Sequence, residues 1–151
     1  VEVIKDYGEL LWVECYPGQL NQVFMNLLTN AVDALEERNK QRPLEDIKAN
    51  PSRIHIRTEL HQSNWVKICI ADNGQGIREE IRDRLFDPFF TTKPVGQGTG
   101  PGLSISYQIV VEKHGGTLDC TSINGQGTEF SITVPAYQTA KLEGVGARIK
   151  L

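Results

Sequence analysis

The chain has 151 residues, 39% of them hydrophobic and 23% charged, which suits one globular domain with a full core, and no run approaches the ~18 apolar residues of a membrane span. A net charge of -3 without any block of Lys or Arg argues against nucleic acid as the main partner, while leaving room for a local basic site for phosphates, and no direct membrane contact is expected of this piece. Cys15, Cys69 and Cys120, an odd number with no paired spacing, fit reduced thiols in a cytoplasmic protein better than disulfides or zinc. No leader pattern opens the chain, which begins in mid-strand as an excised piece would.

Residues 1–7 and 10–16 read as two strands joined at Gly8 and Glu9, a hairpin with Trp12 as its core anchor. Pro17 and Gly18 break the pattern. A helix is expected over 19–37, where Leu20, Val23, Phe24, Leu27, Leu28, Ala31 and Leu35 fall on one face. Gln22, Asn26, Asn30 and Asp33 fall at intervals of four, four and three, making one polar stripe on another side. Asn is a poor interior helix former because its side chain competes for backbone hydrogen bonds. Two asparagines in mid-helix therefore point to a role, either holding a neighbouring loop or meeting a ligand.

Residues 39–52, with Pro43 and Pro51, read as a surface loop holding one helical turn. Strand alternation follows over 53–61, Ile54, Ile56, Thr58 and Leu60 against Arg53, His55, Arg57 and Glu59, and Ser63-Asn64 leads into a second strand at 65–71. His55 and His61 are expected to face outward, and neither has a partner at metal-ligand spacing. In the second strand Val66, Ile68 and Ile70 alternate with Lys67 and Cys69, which sets the Asp72 carboxylate at the end of the sheet. Gly74 and Gly76 then let the backbone turn sharply and come close to a ligand, although Asp72-Asn73-Gly74 alone also suits an ordinary turn.

A short helix is expected at 78–85. Phe86, Asp87, Pro88, Phe89, Phe90, Thr91, Thr92 and Lys93 follow as an aromatic segment that Pro88 keeps out of a helix interior. Residues 94–102 carry Gly96, Gly98, Gly100 and Gly102 around Thr99, a loop that reads as a lid needing a partner to order it. It delivers the chain to an amphipathic helix at 103–114, through Leu103, Ile105, Ile109 and Val110, and a helix start favours an anion through its free N–H groups and dipole. Gly115-Gly116 ends that helix, with His114 as a C-terminal residue compatible with the dipole. Residues 117–122 and 128–134 form a hairpin around Asn124-Gly125-Gln126-Gly127.

Asn26 to Ala34, Asp72 to Gly76, Phe86 to Lys93 and Gly98 to Leu103 resemble, in order and spacing, the N box, first glycine box, F box and second glycine box of sensor histidine kinases. Gly127-Thr128 is similar to the Gly-Thr that closes the family's site. The resemblance implies the Bergerat ATP-binding fold, an α+β two-layer sandwich in which a mixed, mostly antiparallel sheet is covered on one face by helices. The match runs over 11–135, so a catalytic domain is expected over 1–136, and residues 137–151, small and polar with Gly144 and Gly146, read as a tail or linker.

The resemblance further implies ATP and Mg²⁺. Asp72 would accept a hydrogen bond from the adenine amino group, a choice that disfavours the carbonyl of guanine, and Thr128 would assist at the same edge, with Gly74, Gly76 and Ile77 shaping the loop. Asn30 matches the family's Mg²⁺ ligand, with Asp33 and Asn26 on the same stripe. Phe90, Thr91, Thr92, Lys93 and the Gly98, Thr99, Gly100, Gly102 and Leu103 segment match the lid and phosphate positions, with Asn26 and Lys93 the expected catalytic residues. ATPases of this fold carry Glu where Asn26 stands, as general base for water. An amide cannot take that proton, so the resemblance implies presenting the γ-phosphate to a His on a separate dimerisation domain, with a response regulator downstream.

Pro101 departs from the family's second glycine box, where Leu is usual. Proline removes one N–H from the loop, and a lost charge-assisted hydrogen bond weakens phosphate binding by about 1.5–3 kcal/mol. This departure supports the alternative of a degenerate nucleotide-binding scaffold, while an ATPase of the same fold is the third reading. Pro101→Leu is expected to tighten ATP or raise phosphorylation.

Overall fold

The structure, a computed structural model, describes residues 1–8, 12–87, 102–137 and 146–150. Its main sheet has five strands in the order β1 (Glu2–Tyr7), β3 (Arg53–His61), β4 (Trp65–Asp72), β6 (Gly127–Pro135) and β5 (Thr117–Ile123). β1 runs parallel to β3 and every other pairing is antiparallel. A two-stranded sheet pairs β2 (Trp12–Cys15) with β7 (Ala147–Lys150).

The first two strands therefore do not form the expected hairpin. β1 takes its register from β3, Glu2 opposite Arg53 through Tyr7 opposite Thr58, and the Gly8 N–H extends that edge by bonding the Thr58 carbonyl at 2.8 Å. β2 bonds elsewhere, with Glu14 N–H on the Ala136 carbonyl at 2.9 Å and β7 alongside. Trp12 is correspondingly not a core anchor. Val13 and Cys15 are fully buried, so strand alternation sends Trp12 to the other face, where it is 52% exposed. Within 137–151, expected to be a tail or linker, Ala147–Lys150 supplies β7.

The helix layer rests mainly on α1 (Pro17–Asn39). Proline suits its first turn because that N–H has no helical partner. Leu20, Val23, Leu27, Ala31 and Leu35 are buried along it, each large aliphatic contributing about 1.5–3 kcal/mol by leaving water. They meet Ile54, Val66, Ile68, Ile70, Leu118, Phe130, Ile132 and Val134, the inward residues of the sheet. α2 (Leu44–Ala49) is the helical turn expected in the 39–52 loop, and α3 (Glu79–Arg82) is shorter than the expected 78–85 helix.

The last helix begins as α4 (Gly102–Tyr107) and continues with π winding over Gln108–Lys113. Ser104 and Ser106 are buried beside Ile109 and Val110, while Leu103 and Ile105 are half-buried against the core. His114 ends this helix as a core residue rather than an exposed dipole partner. Its Nε2 accepts the Tyr16 N–H at 2.9 Å, which leaves Nδ1 as the protonated nitrogen facing the Ile109 carbonyl at 2.8 Å. Full burial lowers its titration from the ordinary value of 6.5, partly opposed by the Ile109 carbonyl.

On the sheet's other face, Arg57 of β3 reaches across β4 to Glu129 of β6 at 3.0 Å. The register sets this ion pair over Cys69 and Ala71, because Cys69 lies opposite Arg57 and Ala71 opposite Glu129. Small residues beneath two long ones explain how Cys69 is only 1% exposed on the face away from the helices. His55 shares this face and is half-buried, while His61 is exposed.

Candidate functional site

Asp72, the last residue of β4, shares the parity of Val66, Ile68 and Ile70 and so faces the helix layer. Sheet register sets Thr128 directly opposite it on β6, and Ser122 of β5 opposite Thr128. Ser122, Thr128 and Asp72 thus form one row across three strands at one end of the sheet. Burial of the Asp72 carboxylate raises its titration from 3.8 to about 6, while the N–H groups of Gly74 and Thr128 pull the other way. Its Oδ1 accepts the Gly74 N–H at 2.8 Å. An ionised carboxylate has about four acceptor positions, so two N–H groups leave acceptor capacity.

Protein groups hold the loop after Asp72 on three sides. Asn73 joins it to β3: its Oδ1 accepts the Arg53 N–H at 2.7 Å, its Nδ2 donates to the Pro51 carbonyl at 3.0 Å, and its own carbonyl accepts from Arg38 at the end of α1. Gly74 lies under α1, where an added Cβ would stand 3.1 Å from that of Ala34 and 2.8 Å from Asp72 Oδ1. Gly76 has φ of +78° and abuts the Ile123 carbonyl, while the Gln75 carbonyl accepts the Gly125 N–H at 2.5 Å. The close approaches that these glycines permit in the described residues are to α1 and to the β5–β6 turn. Gly127, at φ +138°, likewise leaves room for the Asp72 backbone.

On α1, Asn26, Asn30 and Asp33 are half-buried, whereas Gln22 is exposed. The Asn26 amide donates to the Gly102 carbonyl and to Ser106 Oγ, each at 3.2 Å, and Ser106 Oγ donates to the same carbonyl at 2.9 Å. Asn26 thereby fastens α1 to the first turn of α4, the loop-holding role open to a mid-helix asparagine. Phe86, at the start of the aromatic segment, packs on the core and against Tyr107 with ring centroids 5.5 Å apart. Among the described residues, no group of three or more His, Cys, Asp or Glu is arranged to hold a metal. Asn30 offers an amide oxygen, a donor suited to Mg²⁺.

Residues 15–138 match the model of the family described as histidine kinase-, DNA gyrase B- and HSP90-like ATPase. The chain belongs to this family. It is 39% identical over 142 residues to the sensor kinase CckA of Brucella abortus (strain 2308), across 89% of this chain and 14% of that protein. It is 36% identical over 129 residues to sporulation kinase E of Bacillus subtilis (strain 168), across 85% of this chain and 15% of that protein. The catalytic domain of histidine kinase ThkA is similar in structure, with a TM-score of 0.69 and 28% identity over 89% of this chain and 78% of that one. The chain spans about one seventh of those curated relatives, and within the family it is an ATP-binding catalytic domain of the sensor-kinase kind. No helix among the described residues is long and apolar enough to cross a membrane.

For this kinase-type domain, the expected positions Asn26, Asn30, Asp33, Asp72, Gly74, Gly76, Ile77, Gly102, Leu103 and Thr128 all lie within the described residues. Phe90, Thr91, Thr92, Lys93, Gly98, Thr99, Gly100 and Pro101 lie outside them. Ser122 escaped the sequence reading. The signal was available: it shares the parity of the inward-facing Leu118 and Cys120 and stands just before the turn that leads to Thr128.

Proposed function

We propose that this domain binds Mg-ATP with the adenine amino group on Asp72 and the same edge near Thr128, and presents the γ-phosphate to a histidine on a separate dimerisation domain. A response regulator then receives the phosphoryl group, and the parent protein holds this domain in the cytoplasm. Supporting this reading above all is the Ser122, Thr128, Asp72 row, which ends in a half-buried carboxylate with acceptor capacity left. Water alone would not favour leaving such a group half out of its reach. A ligand N–H replaces the lost hydration and holds the carboxyl in its ionised form.

Bound Mg²⁺ supplies charge neutralisation at the phosphates, with Asn30 as its protein ligand. Lys93, Thr91, Thr92 and the N–H groups of Gly98, Thr99, Gly100, Gly102 and Leu103 hold the phosphates, and Phe90, Ile77, Gly74, Gly76 and Asp33 shape the site. Asn26 acts by position. Its amide ties α1 to α4 at 3.2 Å and can accept no proton from water at neutral pH, so transfer to a supplied nucleophile is favoured over hydrolysis. Catalysis then rests on orientation and charge.

The test supplies γ-labelled ATP, Mg²⁺ and a dimeric helical domain carrying a phosphoacceptor histidine. Label is expected on that histidine and, at ATP below saturation, is expected to fall sharply with Asp72→Asn. Release of free phosphate at the same rate with or without the acceptor would make the domain a hydrolase. Nucleotide binding with neither transfer of label nor release of phosphate would leave the scaffold reading that Pro101 supports.

A further inference from the structure

Ser122 Oγ lies within hydrogen-bond distance of the Ile77 N–H at 2.7 Å, the Gly127 carbonyl at 3.0 Å and Thr128 Oγ1 at 3.0 Å. A serine hydroxyl has one proton and two acceptor lone pairs. The Ile77 amide can only donate, so it takes one lone pair. The Gly127 carbonyl can only accept, so it takes the proton. What remains for Thr128 is the second lone pair, which makes Thr128 the donor in their shared bond. The one hydroxyl proton of Thr128 then points at Ser122, and its oxygen is left with lone pairs alone.

We infer that Ser122 is a specificity-determining positioning residue, which locks the Thr128 hydroxyl as an acceptor and so tunes the site for a 6-amino purine over a 6-oxo purine. The inference rests on the adenine reading of Asp72. An adenine edge offers an amino donor, and a lone-pair oxygen facing it accepts from it. The 6-oxo group of inosine or guanine is itself an acceptor, so it meets repulsion where adenine meets a bond. Without Ser122, the Thr128 hydroxyl rotates freely and donates to that 6-oxo group. Ser122 also pins the loop at Ile77, so its hydroxyl couples the two walls of the adenine end.

Calorimetric titration with nonhydrolysable analogues of ATP and of inosine triphosphate, each with Mg²⁺, separates this role from simple support. Ser122→Ala is expected to weaken the ATP analogue about tenfold, one hydrogen bond's worth, while leaving or improving the inosine analogue. Ser122→Thr, which keeps a hydroxyl, is expected to restore the preference. Thr128→Val removes the acceptor and is expected to shrink the preference by the same factor, with no further change when Ser122→Ala is added. Equal weakening of both analogues by Ser122→Ala would reduce Ser122 to a structural tie and overturn the inference. Should Ser122→Ala fail to fold, an unchanged preference in Thr128→Val overturns it as well. Asp72→Ala in the same titration distinguishes the two levels: undiminished ATP binding there overturns the adenine reading itself, whereas lost binding with an unmoved Ser122→Ala preference overturns only this inference.

Discussion

Asp72 and His114 are both moved off their ordinary titration range chiefly by burial, yet their surroundings differ in one decisive respect. His114 ends the last helix, three residues before β5 begins at Thr117, and both ring nitrogens face backbone partners, the Tyr16 N–H and the Ile109 carbonyl. Asp72 lies near the other end of the same hairpin, beside the row that Thr128 and Ser122 complete, and its known N–H partners leave acceptor positions over. A perturbed titration by itself therefore does not separate function from burial. Bonding capacity left after the protein has used its share separates a binding group from a structural one.

Substitution of each residue sharpens this contrast, beginning with the largest effect. His114→Ala removes the acceptor of the Tyr16 N–H and the Nδ1 contact to the Ile109 carbonyl and opens a cavity, so chemical denaturation is expected to show a loss of about 3 kcal/mol with ATP affinity little changed. Asp72→Asn is expected to do the reverse: about 2 kcal/mol of binding, or some thirtyfold in Kd, is lost in calorimetry while stability holds or rises. If both variants lost stability and affinity together, the distinction between the two residues would collapse.

The pH dependence of stability follows from opposite signs. His114 has a folded value below 6.5, so its unfolded form binds more protons, and its contribution is complete above 6.5 and is lost as pH falls through the lowered folded value. Asp72 titrates near 6 when folded, above its ordinary 3.8, so its contribution is complete below 3.8 and is lost as pH rises through about 6. Denaturant titrations from pH 4 to pH 7 are thus expected to show the two slopes partly cancelling in the unmodified chain. Asp72→Asn should expose a steeper loss on acidification, and a replacement of His114 that still folds should expose the contrary slope. ATP affinity in the unmodified chain should fall below about pH 6 as the carboxylate is protonated, approaching tenfold per pH unit at the limit.

The smallest expected effect lies on the sheet face away from the helices. Arg57→Ala breaks the pair with Glu129 over Cys69, and because Arg57 is 39% exposed the cost should be about 1 kcal/mol or less, with no change in nucleotide binding. A larger change in binding would mean that the two faces of the sheet are coupled.

Most of this was legible from the amino-acid sequence where the physics is local. The α1 core face is written in the spacing from Leu20 to Leu35, and the alternation through Val66, Ile68 and Ile70 places Asp72 at the strand end on the helix side. The β5–β6 hairpin follows from its Asn-Gly turn. Non-local pairing was not legible. Nothing in residues 1–16 says that β1 will lie parallel to β3 or that β2 will take its partner from 147–150, and the strong apolar signal of Trp12 concealed that Val13 and Cys15 set the phase. The burial of His114 depends on Tyr16, 98 residues away in sequence. Ser122 was readable by parity alone, but its meaning needed the three bonds that converge on it.

The most direct test of the central claim is calorimetric titration of a nonhydrolysable ATP analogue with Mg²⁺ into the unmodified chain and into Asp72→Asn, with denaturation of both measured in parallel. The account predicts Mg²⁺-dependent binding that weakens about thirtyfold in the variant at unchanged or higher stability. Equal affinity in two equally folded proteins would contradict it, and would move the adenine away from Asp72.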